Sequence, residues 1–291
     1  MSQTCSQANP HDEAHRQMEQ AVLEKRMDGI RQKILVMSGK GGVGKSTVAV
    51  RLAVGLAEAG WSVGLLDVDI HGPSVPQLIG LQGREVITDH QAMQPVKVHD
   101  RLKVMSIGFL VSSPRDAVIW RGPMKYNIIR QFLKDVDWGS LDYLVVDSPP
   151  GTGDEPLAVA QLVGKPAMAL LVTTPQELAV NDVRRSVSFC RAVDLPVLGI
   201  VENMSGYACP SCGHHVDIFK TGGGEALAAE MEVGFLGKVP LDSNIVAQGD
   251  AGHPLTDRPE PRASEQGFRQ IVETVLERTR AGRVVLNVLN G

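Results

Sequence analysis

The chain has 291 residues, 43% hydrophobic and 21% charged, and 29 Lys and Arg against 33 Asp and Glu leave a net charge of −4. That balance suits a globular protein with a full core. It excludes collagenous, wholly disordered and disulfide-stapled chains and argues against a general nucleic-acid binder. The start of the chain lacks an apolar core behind basic residues, and runs such as Ala167–Val172 are too short to cross a bilayer. The expectation is a cytoplasmic protein without membrane or nucleic-acid partners.

Residues 1–30 read as a polar tail, in which His11–Ile30 can form a helix only around a sparse stripe of Met18, Val22 and Ile30. From Lys33 onward short apolar runs alternate with helical patterns. The runs are Ile34–Met37, Val63–Leu66, Leu102–Ile107, Tyr143–Val146, Ala169–Val172, Val197–Val201 and Phe235–Val239. They lack polar alternation, as strands buried on both faces of a parallel sheet do. Helices are expected at Lys45–Ala59, Lys125–Lys134, Pro156–Leu162, Glu177–Ala192, Gly224–Met231 and Ala263–Arg280. This order predicts one doubly wound, mainly parallel α/β domain over residues 31–291, with Gln82–Gln94 and Gly206–Gly224 as its longest irregular stretches.

Behind the first run stands Ser38-Gly39-Lys40-Gly41-Gly42-Val43-Gly44-Lys45-Ser46-Thr47. Gly39, Gly41 and Gly44 satisfy the dinucleotide pattern G-x-G-x-x-G, with Asp67 at a suitable distance; Gly39, Gly44, Lys45 and Ser46 satisfy the P-loop. The P-loop accounts for more residues. Its glycines let backbone N–H groups wrap phosphates at a helix N-terminus, Lys45 supplies a point charge, and the Ser46 hydroxyl is placed to ligate Mg²⁺.

Acidic groups follow later strands. Asp67 and Asp69 precede His71-Gly72-Pro73-Ser74, and Asp147 closes an apolar run in the Walker B manner before Pro149-Pro150-Gly151-Thr152-Gly153-Asp154. Carboxylates at strand C-terminal ends line the crevice where α/β sheets bind ligands, so Asp147 is expected to hold Mg²⁺. Asn203 follows Glu202 at another strand end, and its amide can pair with both edges of adenine.

Cys209-Pro210-Ser211-Cys212-Gly213-His214-His215 is the remaining motif, in a loop over residues 206–216. A thioredoxin-like redox pair belongs at a helix start after a strand, and this pair sits in a long loop. The loop alone suits zinc, with His214 or His215 as further ligands, and an iron–sulfur cluster equally. Cys190 falls in an expected helix and Cys5 in the tail, so one chain offers a single close pair; two pairs across a homodimer make four thiolates.

Lys40, at the second position of the phosphate loop, resembles the first lysine of the deviant Walker A in the ParA, MinD and Mrp group of dimeric ATPases. That likeness implies a SIMIBI-type P-loop NTPase in which Lys40 reaches the partner's nucleotide. The further motifs Asp69-x-x-Gly72-Pro73-Ser74, Asp147-x-Pro-Pro-Gly-Thr-Gly-Asp154, Thr173-Thr174-Pro175-Gln176 and Glu202-Asn203-Met204-Ser205 before Cys-x-x-Cys are similar to the Mrp/ApbC iron–sulfur cluster carrier ATPases. The resemblance covers about residues 33–249. It implies an ATP-binding, slowly hydrolysing homodimer that carries a labile 4Fe–4S cluster on Cys209 and Cys212 and transfers it to apoproteins. It further implies that Asp69 orients water, that Asp67 supports the metal shell, and that the loop holding Asp242 borders the base. Many bacterial relatives carry a small extra N-terminal domain, and eukaryotic relatives a four-cysteine motif that Cys5 alone does not supply. Two other readings predict different things: a ParA/MinD-like positioning ATPase needs a membrane helix or basic face, and a zinc-knuckle ATPase needs zinc at the cysteine pair.

Overall fold

The computed structural model describes residues 10–89, 92–110, 122–209, 212, 214–253 and 262–289. Its centre is a sheet of nine strands. In chain order these are β1 (Ile30–Ser38), β2 (Val63–Asp67), β5 (Val96–His99), β6 (Leu102–Ser106), β7 (Leu141–Asp147), β8 (Ala167–Thr173), β9 (Val197–Ala208), β10 (His215–Val216) and β11 (Phe235–Leu241). The spatial order is β10-β9-β8-β1-β7-β2-β6-β5, with β11 also paired to β9. All pairings are parallel except β5 with β6 and β10 with β9. A two-stranded hairpin, β3 (Ile87–Asp89) with β4 (Ala92–Gln94), stands apart.

The strict period of two along each strand explains why the runs are apolar throughout. Leu35 and Met37 of β1 enter one core layer while Ile34 and Val36 enter the other, and Leu144 and Val146 of β7 oppose Tyr143 and Val145 in the same way. The first layer is covered by α1 (Pro10–Asp28), α4 (Gly122–Asp135), α5 (Asp154–Val163), α6 (Glu177–Ala192) and α7 (Gly223–Glu230). The second is covered by α2 (Lys45–Glu58), α3 (Val75–Leu78) and α9 (Ala263–Leu289), with α8 (Ser243–Ala251) against α3. Helices on both faces of a mainly parallel sheet make the doubly wound α/β fold expected from the sequence.

Each expected strand and helix is present, most with ends shifted by a few residues, while β9 and α9 run on well past their expected ends, to Ala208 and Leu289. The helix allowed for the tail is present and docked, on a different face from its sequence stripe. Over Pro10–Asp28 it is helix α1, and among its described side chains Leu23 and Met27 are the buried ones; Met18 and Val22, which the sequence stripe puts on one face, are 73% and 42% exposed. The docking is steered by charge: Glu19 meets Arg130 and Lys134 of α4 at 3.0 and 2.8 Å, and Arg26 meets Asp137 at 2.6 Å. Cys5 lies outside the described residues. The stretch expected to be irregular at 82–94 contains β3 and β4, and that at 206–224 contains the end of β9 and β10.

Parallel strands all present their C-terminal ends on one side. Ser38, Asp67, Asp147, Thr173 and Glu202 therefore converge there, and every one of them is buried.

Candidate functional site

The phosphate loop leaves β1 at Ser38, whose hydroxyl donates to the Lys40 carbonyl at 2.9 Å. Gly42 and Gly44 have φ of 81° and 80°, a left-handed conformation that glycine takes without the Cβ penalty of other residues. Gly44 caps α2 without a side-chain hydrogen bond, so the amides of Lys45, Ser46 and Thr47 face a would-be anion at the positive end of the helix. A Cβ on Gly39 would lie 2.5 Å from the backbone of Asp182 in α6, while Gly41 faces open space and Val43 is buried. Lys40 is half-buried beside them.

Lys45 reaches inward. Its Nζ lies 2.5 Å from Asp147 Oδ1, 3.3 Å from Asp69 Oδ2 and 3.4 Å from Ser46 Oγ. Burial alone would lower its pKa, yet the surrounding carboxylates of Asp147, Asp69 and Asp67 hold it above the ordinary lysine value. Asp67 and Asp147 are direct register partners across β2 and β7. Burial first, and then the Asp147 charge, push Asp67 up to about 8. Burial likewise raises Asp147.

The two aspartates have different jobs. Asp67 is spent on the loop after its own strand: Oδ1 accepts from the Asp69 amide at 3.1 Å, and Oδ2 accepts from Ser106 Oγ at 2.9 Å and the Val75 amide at 3.3 Å. It thereby aims Asp69 at Lys45. Asp147 keeps Oδ2 buried without a hydrogen-bond partner among the described residues, and the neighbouring Ser148 hydroxyl is in the same condition. A buried, unpaired carboxylate oxygen beside the Ser46 hydroxyl is a donor set that fits Mg²⁺.

Asn203, buried at the end of β9, donates from Nδ2 to the Val43 carbonyl at 3.0 Å. Asp242 is the N-cap of α8: Oδ1 accepts from the Asn244 amide at 2.9 Å, and Oδ2 accepts from Ser264 Oγ at 2.6 Å. Its side chain therefore fastens the loop between β11 and α8 to α9.

Beyond Asn203, β9 leaves its partner β8 and pairs antiparallel with β10. Tyr207 pairs with Val216, Ala208 with His215, and the Cys209 amide donates to the His214 carbonyl at 2.9 Å. The cysteine pair thus sits at a hairpin tip, with Cys209 half-buried and Cys212 exposed and neither in a disulfide. Cys190 is fully buried in α6, where burial lifts its thiol to about 11. That makes it a core residue.

Sequence reasoning missed a second use of the strand ends. Glu202 is fully buried and its carboxylate accepts from Ser205 Oγ at 2.5 Å, the Gly222 amide at 2.8 Å and the Gly224 amide at 2.5 Å. Gly222 and Gly224 lie on the far side of the hairpin, so no local pattern reveals them; the one signal was an acidic residue at a strand end of otherwise apolar character.

The family model described as ParA, NUBPL iron-transfer P-loop NTPase, matches residues 29–276. The chain belongs to this family. The iron–sulfur cluster carrier protein of Methanococcus maripaludis is 44% identical over 279 residues, covering 95% of this chain and 96% of that one. Its counterpart from Methanocaldococcus jannaschii is 44% identical over 277 residues, covering 94% and 95%. Among solved structures, a nucleotide-binding protein of Archaeoglobus fulgidus in complex with ADP, with Co found by PIXE, superposes with a TM-score of 0.73 at 40% identity over 85% of this chain and 96% of that one. The cell-division protein MinD of Aquifex aeolicus gives a TM-score of 0.60 at 21% identity, over 85% and 97%, a likeness of fold. The expected SIMIBI-type P-loop architecture and the iron–sulfur carrier family both stand. No helix among the described residues is long and apolar enough to cross a membrane.

Proposed function

We propose that this chain is an ATP-binding, slowly hydrolysing carrier that holds a labile 4Fe–4S cluster across a homodimer and passes it to apo iron–sulfur proteins in the cytoplasm. The observation that carries the reading is the hairpin: half-buried Cys209 and exposed Cys212 at the tip that follows the same strand that touches the phosphate loop. Two thiolates per copy are half the usual complement of such a cluster, so a second copy completes it. Exposure suits a cargo that must leave. The carrier names of relatives at 44% identity support the same reading.

In this reading the amides of residues 39–47 wrap the phosphates and Lys45 neutralises the terminal one. Ser46 and Asp147, with Asp67 behind them, would hold Mg²⁺, which would supply positive charge to the bound phosphates. Asp69, aimed by Asp67, orients the attacking water; Lys40 reaches the partner's nucleotide; Asn203 and the Asp242 loop meet the base.

Iron, acid-labile sulfide and zinc per chain, measured after anaerobic reconstitution together with solution mass, test it. About two irons and two sulfides per chain in a dimer is the expected result, by division of one four-iron cluster between two copies. Zinc alone, unreplaced by reconstitution, would overturn the carrier reading and leave a structural knuckle.

A further inference from the structure

Between the phosphate loop and the cysteine tip, β9 changes character within four residues. Its pairing with β8 ends at Glu202, opposite Thr173. Against β11, Asn203 pairs with Val239 and Tyr207 with Leu241, so Met204, Ser205 and Gly206 stand opposite the single residue Pro240. This is a β-bulge, and it has a strong local bend: Met204 and Gly206 have φ of 58° and 68°. A left-handed conformation at methionine is uncommon and persists only where the surroundings enforce it.

The surroundings are the phosphate loop itself. Asn203 Nδ2 holds the Val43 carbonyl, and a Cβ built on Gly44 would lie 2.2 Å from that same nitrogen and 3.7 Å from Met204 Cε. Asn203 leaves no room for a side chain at Gly44 and is bonded to Val43, so a shift of Val43 bears directly on Asn203, with Met204 next to it in the chain. One residue earlier, Glu202 clamps both feet of the hairpin through Ser205, Gly222 and Gly224. What lies beyond the clamp is tied together by its own ladder, up to the Cys209 amide.

Resting on the carrier reading above, we propose that the root of β9 is a lever within one chain. Asn203 senses the occupant of the phosphate loop, Glu202 is the pivot, and the exposure and reactivity of Cys209 and Cys212 change with nucleotide. Asn203 and Glu202 are positioning residues in this device. In the reading above Asn203 also meets the base, so nucleotide bears on the lever at two points. Coupling then needs no second subunit.

The test is peptide-resolved alkylation by iodoacetamide of the cluster-free full-length chain, with and without saturating MgADP, nucleotide occupancy being checked by calorimetry. Thiolate fraction and access set the rate, and buried Cys190 is an internal control. MgADP is expected to change the Cys209 and Cys212 rates about fivefold or more, the usual lower range of a coupling between sites, and by the same ratio at every protein concentration. Asn203→Ala removes the contact and Met204→Gly frees the bulge; in both, saturated with MgADP, the ratio should fall toward one. A ratio of one in the wild-type chain with nucleotide bound would overturn the lever. So would a ratio kept by both variants, or one that vanishes on dilution, which would assign the effect to dimer formation. Intact coupling in a chain that takes up no iron or sulfide would uphold the lever and overturn the carrier reading.

Discussion

The phosphate-loop end of the molecule and the cysteine hairpin are built on opposite principles. Around Lys45, three carboxylates and an ammonium are buried together, and Asp67 is fixed by three donors. At the hairpin, His214, His215 and Val216 are exposed, and a short two-strand ladder carries the pair. Phosphate binding rewards charges fixed before the ligand arrives, because nothing then has to be reorganised. A cargo site needs access and pays little for it in stability. In the proposed reading, that difference lets one chain bind nucleotide firmly and its cluster loosely.

Four measurements would break or sharpen this contrast. Lys45→Met should have the largest effect. It removes the cation from a buried group of carboxylates, which costs about 3–5 kcal/mol when one partner of a buried pair is lost. Nucleotide binding should go with it; denaturant midpoints and calorimetry read both. If unfolding stability is unchanged, the charges at this end are not preorganised and the contrast fails.

The pH dependence comes next. Asp67 sits near 8 in the folded chain against an ordinary 3.8, so the folded state holds a proton that the unfolded state has lost between those values. Stability should therefore fall as pH rises through about 4 to 8, and Asp67→Asn should flatten that slope. A wild-type chain that gains stability over this window would show Asp67 ionised. Glu202→Gln should cost about 2 kcal/mol, since an amide group replaces an oxygen that accepts buried N–H donors. Urea midpoints with an unchanged slope against denaturant would give that value directly. A neutral result would mean the hairpin's feet are held by something else.

The smallest effect on folding is expected at Cys212→Ser, within about 0.5 kcal/mol because the side chain is exposed. The same variant should lose its iron and sulfide after reconstitution. A large loss of stability there would erase the distinction between the two ends.

Much of the fold could be read from the chain because its signals are local. A strand buried on both faces announces itself by an unbroken apolar run, and Gly39 to Thr47 carry the phosphate loop in one contiguous string. The helix α1 was harder. Two weak stripes compete on it, and the choice of Leu23 and Met27 over Met18 and Val22 depends on Arg130, Lys134 and Asp137, more than 100 positions away. The short elements α3, α8 and the β3–β4 hairpin gave no periodic signal. At the site, Lys45 and Asp147 could be named from sequence. That Asp67 has Ser106 and Val75 as partners, or that Glu202 reaches Gly222 and Gly224, depends on strands meeting in space.

The clamp at Glu202 has a consequence for how such a protein can vary. Both ends of the segment from Ser205 to Gly222 meet on one carboxylate, so the main domain closes around this segment whatever its length. Extending a closed loop costs little, about 0.6 kcal/mol for each doubling. The hairpin therefore behaves as an exchangeable cassette. Its tip can be lengthened, or its ligand residues replaced, while the sheet, both core layers and the nucleotide site keep their registration.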